Sequence, residues 1–175
     1  YRISQDSAVP KLLLLAQLAV KATGADIGGI SLIFRTHALV VAGAGVDAQQ
    51  LERITSICSH AVEHQTAFFE VPNLMLAPQF SSKQFPEMQH YAAATLFSRR
   101  GYVLGTLWVM TRRPGRLDES QRLLLQGLGR LVVDALEMHY CDAVTGMHNR
   151  SALVGQVQDL IALAEAPELS IAYID

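Results

Sequence analysis

The chain has 175 residues, enough for one domain with a sizeable core and part of a second. Half of the residues are hydrophobic, 17% are charged and the formal net charge is −2, a balance that gives no broad electrostatic reason to expect nucleic acid or an anionic membrane as partner. Two cysteines, Cys58 and Cys141, are too few for a disulfide scaffold, and their separate elements favour free thiols in a reducing, cytoplasmic compartment. The most apolar N-terminal run, Leu12 to Leu15, is interrupted by Gln17 and Lys21, short of the roughly 20 residues of a membrane span. It also lacks a signal-peptide cleavage pattern. The chain opens without Met and stops at Asp175 on a strand-like run, so both ends read as cuts in a longer protein.

Cap-type residues from Ser4 to Ser7 precede Val9-Pro10, and proline suits a first helical turn, which predicts a helix from there to Ala22, closed by Gly24. Ile27 to Phe34 reads as a strand, with Ile30, Leu32 and Phe34 on one face and Ser31 and Ile33 on the other. Ala38 to Ala44 is its hairpin partner across the short Arg35-Thr36-His37 link. From Asp47 to Glu63 the apolar residues Leu51, Ile54, Ile57, Cys58, Ala61 and Val62 recur at helical steps, predicting an amphipathic helix that packs on the sheet, with Asp47 as N-cap. Ala67 to Val71 is a short strand. Pro72 to Gln89 is irregular and proline-rich, the character of a binding loop or lid. Two further strands, Tyr91 to Ser98 and Tyr102 to Thr111, meet at the tight turn Arg99-Arg100-Gly101.

A basic loop, Arg112 to Arg116, then leads to Asp118 and Glu119, acids placed at the positive end of a long helix running to Tyr140. In that helix Leu124, Leu128, Leu131, Ala135 and Met138 form one apolar seam, and Leu125, Val132, Leu136 and His139 form a second beside it. One seam suits the sheet or the first helix and the other a second subunit; the alternative is a helix buried on two sides of a monomer. The element order predicts an α+β domain, an antiparallel sheet with helices packed against it and a long C-terminal linker helix.

Asp142-Ala143-Val144-Thr145-Gly146-Met147-His148-Asn149-Arg150 resembles the D-x-L-T-G-L-x-N-R opening motif of GGDEF domains, the catalytic domains of diguanylate cyclases. Leu169 to Asp175 resembles the first core strand of that domain, and Asp175 matches the first metal-binding aspartate at its end. The resemblance implies a parent that makes cyclic di-GMP from two GTP with Mg2+ or Mn2+, while the stretch present here lacks the GG(D/E)EF signature and is expected to have no such activity. The truncated strand, without its sheet partners, is expected to be disordered or to pair with an exposed edge of another chain. Residues 9–140 resemble a GAF domain. Cys58-Ser59-His60-Ala61-Val62 is similar to the family's F-C-x-H-A-I helix end, Phe69 to Asn73 with Pro78-Gln79-Phe80 to its V-x-D-A and D-P-R-F segments, and Tyr91 to Leu96 and Leu104 to Met110 to its Y-A-G-x-P-L and I-G-T-L-C-V-x-D strands. This divides the chain into a sensor domain over 1–140 and the start of a GGDEF domain over 141–175.

The implied ligand pocket lies between the sheet and the Pro72 to Gln89 loop, walled by Phe80, Phe85, Tyr91, Phe97 and Trp108, with Cys58, His60, Asn73 and Thr95 as polar contacts. The alternative is that Phe80 and Phe85 pin the loop over a filled core. His60-Ala61-Val62-Glu63-His64 spells the inverted zinc-peptidase pattern, but a zinc site needs a third ligand and an open cleft and the helix ends toward Thr66, so a plain helix end with His64 exposed, or His60 at the pocket edge, is expected instead. A buried, inert Cys58 is expected rather than a redox thiol, because the other cysteine stands at the far end of the last helix. The arginines at 99, 100, 112, 113 and 116 lie in turns and are expected to be solvated. The functional expectation is a homodimeric sensor of an unknown small molecule controlling a cyclase domain, or a ligand-free dimerisation or docking module attached to a degenerate one.

Overall fold

The computed structural model describes residues 8–35, 37–47, 49–52, 57–64, 66–80 and 85–140. Helix α1 (Ala8–Thr23) buries Leu12, Ala16 and Ala19, one stripe at helical spacing. Thr23 Oγ1 donates to the Ala19 carbonyl (2.7 Å) in its last turn, and Gly24, at φ +68°, takes the left-handed conformation that ends it. Strands β1 (Ile27–Ile33) and β2 (His37–Ala44) form the expected hairpin.

The next segment departs from the expected helix. Gln49–Glu52 is strand β3, paired antiparallel with His37 to Val40 of β2, and helix α2 is described over Ile57–Glu63. The physical reason is that β2 would otherwise leave its outer backbone groups unpaired, and this short polar segment caps that edge. Asp47 thus precedes a strand rather than capping a helix. Strand β4 (Phe68–Val71) follows, then two 3-10 turns (Leu74–Leu76 and Pro78–Phe80), and the hairpin β5 (His90–Phe97) and β6 (Val103–Thr111) turns at Gly101, φ +80°. Among the described residues six strands lie in the order β3-β2-β1-β6-β5-β4, each paired antiparallel with its neighbours.

Period-two alternation gives the sheet two apolar faces. One, including Ile30, Leu32, Ala92, Ala94, Leu96, Leu107 and Val109, is covered by α1 and by α3 (Glu119–Tyr140). The other, including Val40, Tyr91, Ala93, Trp108 and Met110, is covered by α2 and the segment around Leu74 and Met88. At the start of α3, Asp118 Oδ1 accepts from the Gln121 amide (2.8 Å) while Gln121 Oε1 accepts from the Asp118 amide (2.9 Å), a reciprocal capping box. The two apolar seams of α3 separate in part. Leu125, Val132 and Leu136 are buried against the sheet, whereas Leu124, Leu131 and Met138 are 44%, 53% and 75% exposed, with Leu128 and Ala135 half-buried between them.

Of the turn arginines, Arg99 and Arg112 are exposed but paired with acids rather than only solvated. Arg99 Nε meets Glu137 Oε2 at 2.8 Å and its Nη2 lies 3.4 Å from Asp134, so the β5–β6 turn grips α3; Arg112 binds Asp26 through both its backbone amide (2.8 Å) and its Nη1 (3.0 Å). Their side chains hold opposite charges in contacts between elements distant in sequence, which spacing within a turn does not reveal. The GGDEF-like segment, with Asp142 to Arg150, Cys141 and the candidate metal ligand Asp175, lies outside the described residues, as does the expectation about Leu169 to Asp175.

Candidate functional site

The α2 face of the sheet brings together most of the residues singled out as pocket lining. Adjacent rows cross the three central strands: Gly29, Trp108 and Ala93 pair side by side, and Ser31, Thr106 and Thr95 form the next row. A Cβ on Gly29 would lie 2.8 Å from Trp108 Cζ2, so glycine there lets the indole lie against the sheet. Trp108 Nε1 donates to Ser31 Oγ at 2.8 Å. Cys58, delivered by α2, donates from Sγ to the same oxygen (3.6 Å), and the Tyr91 hydroxyl donates to Cys58 Sγ (3.4 Å). A buried polar chain thus runs from Tyr91 through Cys58 and Ser31 to Trp108, joining β5, α2, β1 and β6. The indole N–H, a donor that is costly to bury alone, has its partner.

Burial holds the Tyr91 phenol well above its ordinary 10.0, and the neighbouring Cys58 adds to the rise both through charge and through the hydrogen bond. The Thr106 hydroxyl works weakly in the opposite direction, yet it makes no well-formed hydrogen bond of its own. Ser59, Thr95 and Thr106 each bury a hydroxyl without a hydrogen-bond partner. Ser59 on α2 and the neighbouring Thr95 and Thr106 on the sheet are polar capacity left unused by the protein.

An aromatic wall stands at the Tyr91 and Trp108 end of this floor. Phe80 meets His60 edge to face (5.3 Å between centroids) and Phe69 likewise (5.6 Å); Phe69 also approaches Tyr91 (6.2 Å), and Phe85 tilts against Trp108 (6.1 Å). Phe80 and Phe85 are half-buried and packed on the core beneath them. Asn73 is engaged locally, its Oδ1 accepting from the Met75 amide (3.0 Å) as the N-cap of the first 3-10 turn. Phe97 stands at the opposite end of β5, beyond the bulge after Leu96, and joins neither core cluster. Cys58 is buried and free. His60 lies 3.8 Å from Glu63, and His64 stacks on Phe69 at 5.3 Å. Among the described residues no group of three or more His, Cys, Asp or Glu is placed to hold a metal ion.

Ser31, Ser59, Phe69 and Thr106 belong to this site and were not singled out from the sequence. The signal for Ser31 was its place opposite Ile30 and Leu32; for Thr106 it was the same alternation around Trp108. Ser59 and Phe69 sit beside residues that were chosen, and only their direction, set by helix phase and strand parity, brings them in.

No protein-family model matches the chain. It is 33% identical over 121 residues to a cyclic di-GMP phosphodiesterase of Pseudomonas aeruginosa, an alignment taking in 64% of this chain; the chain spans only 20% of that protein's length. Among solved structures it resembles the GAF domain of an Acinetobacter phosphoenolpyruvate-protein phosphotransferase, with a TM-score of 0.65 and 17% identity over 76% of this chain and 84% of that one. It resembles equally the type II free methionine-R-sulfoxide reductase of Thermoplasma acidophilum, with a TM-score of 0.65 and 13% identity over 75% and 93%. The described domain therefore has the GAF fold, the α+β architecture expected from its sequence, and at these identities the structural likeness is one of fold.

Proposed function

We propose that residues 1–140 form a small-molecule-sensing GAF domain of a cytoplasmic cyclic di-GMP signalling protein, with α3 as the linker into a GGDEF domain that begins at residue 141. The observation that carries the sensing role is the set of buried, unpartnered hydroxyls of Ser59, Thr95 and Thr106 beside an aromatic wall, the mixture of apolar surface and few polar groups that holds small ligands. Tyr91, Trp108, Phe80 and Phe85 would supply the apolar contacts, with Cys58 and His60 at the polar edge.

The output rests on the motif from Asp142 to Arg150 and on the printed name of the Pseudomonas aeruginosa relative. In a cyclase two GTP molecules bound on separate domains must meet, so a homodimer that re-pairs its α3 helices controls the rate by proximity. The metal, Mg2+ or Mn2+, would sit in the GGDEF domain with Asp175 as one ligand. The phosphodiesterase relative favours a second output, in which the GGDEF domain precedes a phosphodiesterase domain and the sensor governs breakdown of cyclic di-GMP instead.

The chain's single Trp, Trp108, lies in the candidate site and reports on it directly. Titrating small metabolites and nucleotides against Trp108 emission and thermal unfolding should yield a saturable shift with at least one compound. A flat response across the panel would leave the ligand-free dimerisation or docking module as the reading. Turnover of GTP, or of cyclic di-GMP, by the intact parent separates the two outputs.

A further inference from the structure

Among the described residues strand β4 lies at an edge of the sheet, paired with β5 alone, and its alternate residues look to opposite sides. Phe69 and Val71 belong to the site side, where Phe69 touches Phe80, Tyr91 and His64. The alternate residues Phe68 and Glu70, and Pro72 after them, serve the other side. Arg122 of α3 places its guanidinium 4.9 Å over the Phe68 ring, Glu70 Oε1 accepts from the Leu117 amide (2.8 Å), and the Pro72 carbonyl accepts from the Gly115 amide (2.9 Å). Glu70 is itself positioned from two directions: its Oε1 lies 3.0 Å from His90 Nε2 on β5, and its Oε2 lies 3.7 Å from Arg116 Nη1. His90 is buried and the Glu70 side chain nearly so.

We infer that β4 couples the aromatic site to the start of α3, and that Glu70 is the positioning residue that makes the link. The role in signalling rests on the sensor reading above; the mechanical coupling does not. A backbone four residues long cannot shift Phe69 without shifting Glu70, so any change in the aromatic wall alters the acceptor presented to Leu117. The central strands are clamped by a neighbour on each side, whereas β4 has one neighbour and moves at lower cost. Its attachment to the lead-in of α3 is built from polar contacts of defined direction, which transmit a displacement that a greasy contact would absorb.

The test uses the full 175-residue chain and no ligand. Hydrogen exchange is followed at the Gln121 and Arg122 amides in the first turn of α3, with Val132 and Val133 as an internal reference. Phe69→Ala should speed exchange at the first turn by roughly tenfold while leaving the reference amides unchanged. In a Glu70→Ala background the same Phe69→Ala change should add less than about twofold, and Glu70→Gln, which keeps an acceptor oxygen, should restore most of the response. Unchanged first-turn exchange in Phe69→Ala, or an equal response with and without Glu70, overturns the coupling. If Phe69→Ala does not fold, judged by loss of buried Trp108 emission, Phe69→Leu takes its place with the same two outcomes. Coupling intact in a chain that binds no compound would remove the sensor and leave the link standing.

Discussion

At the scale of single residues, Tyr91 is where burial, hydrogen bonding and aromatic packing meet. Its folded-state pKa is raised above the ordinary 10.0 by desolvation first and by Cys58 second, so the folded state retains a proton that the unfolded state releases. Stability drawn from this group is fully present below pH 10.0 and falls as pH rises beyond it toward the folded-state value. Denaturant unfolding from about pH 8 to about pH 12 should therefore show an alkaline loss of stability that Tyr91→Phe reduces; parallel profiles for the two proteins would contradict this. At this scale the sequence was partly legible. The GAF resemblance picked out Tyr91, Thr95 and Trp108 for the pocket, but that Cys58 bonds Tyr91 and Ser31 depends on how α2 docks, which no local pattern encodes.

Among the elements, α3 carries a paired contrast in its glycines. Gly127 is exposed with no heavy atom within 4 Å of an added Cβ, whereas a Cβ on Gly129 would meet Ala94 at 3.3 Å and Leu96 at 3.4 Å. Gly127→Ala should stabilise the domain by roughly 1 kcal/mol through helix propensity, and Gly129→Val should destabilise it by about 1–3 kcal/mol by pushing α3 off β5. Thermal and chemical unfolding read both signs, and a gain at both positions would refute this account of the packing. Elements with a strong period of their own, α1, α3 and the two hairpins, were legible nearly to their ends. The stretch from Asp47 to Glu63 was misjudged because Leu51 fits a helical series as well as a strand, and what decides is the open edge of β2. Arg99 and Arg112 were read as solvated for a similar reason, since Asp134, Glu137 and Asp26 are far away in sequence and close only once the sheet has formed.

For the molecule as a whole, the outward seam of α3 is the feature that most calls for a partner. We propose that Leu124, Leu131 and Met138 meet a second copy, since their exposure on a helix whose opposite seam is already buried suits a coiled-coil-like contact. Leu124→Glu with Leu131→Glu should convert a dimer to a folded monomer in sedimentation or light scattering, with Trp108 emission unchanged; a wild-type chain already monomeric at about 50 μM would end that reading. The packing of α1 on α3 has one more consequence. Gln121 Nε2 donates to the Thr23 carbonyl (3.1 Å), so α3 begins beside the end of α1 and runs back along it. Both backbone connections of the domain therefore emerge at one pole, with the last turns of a helix roughly 33 Å long overhanging one of roughly 24 Å. A tether arriving at Ala8 and another departing from Tyr140 would run side by side, and torque on one can reach the other without crossing the sheet.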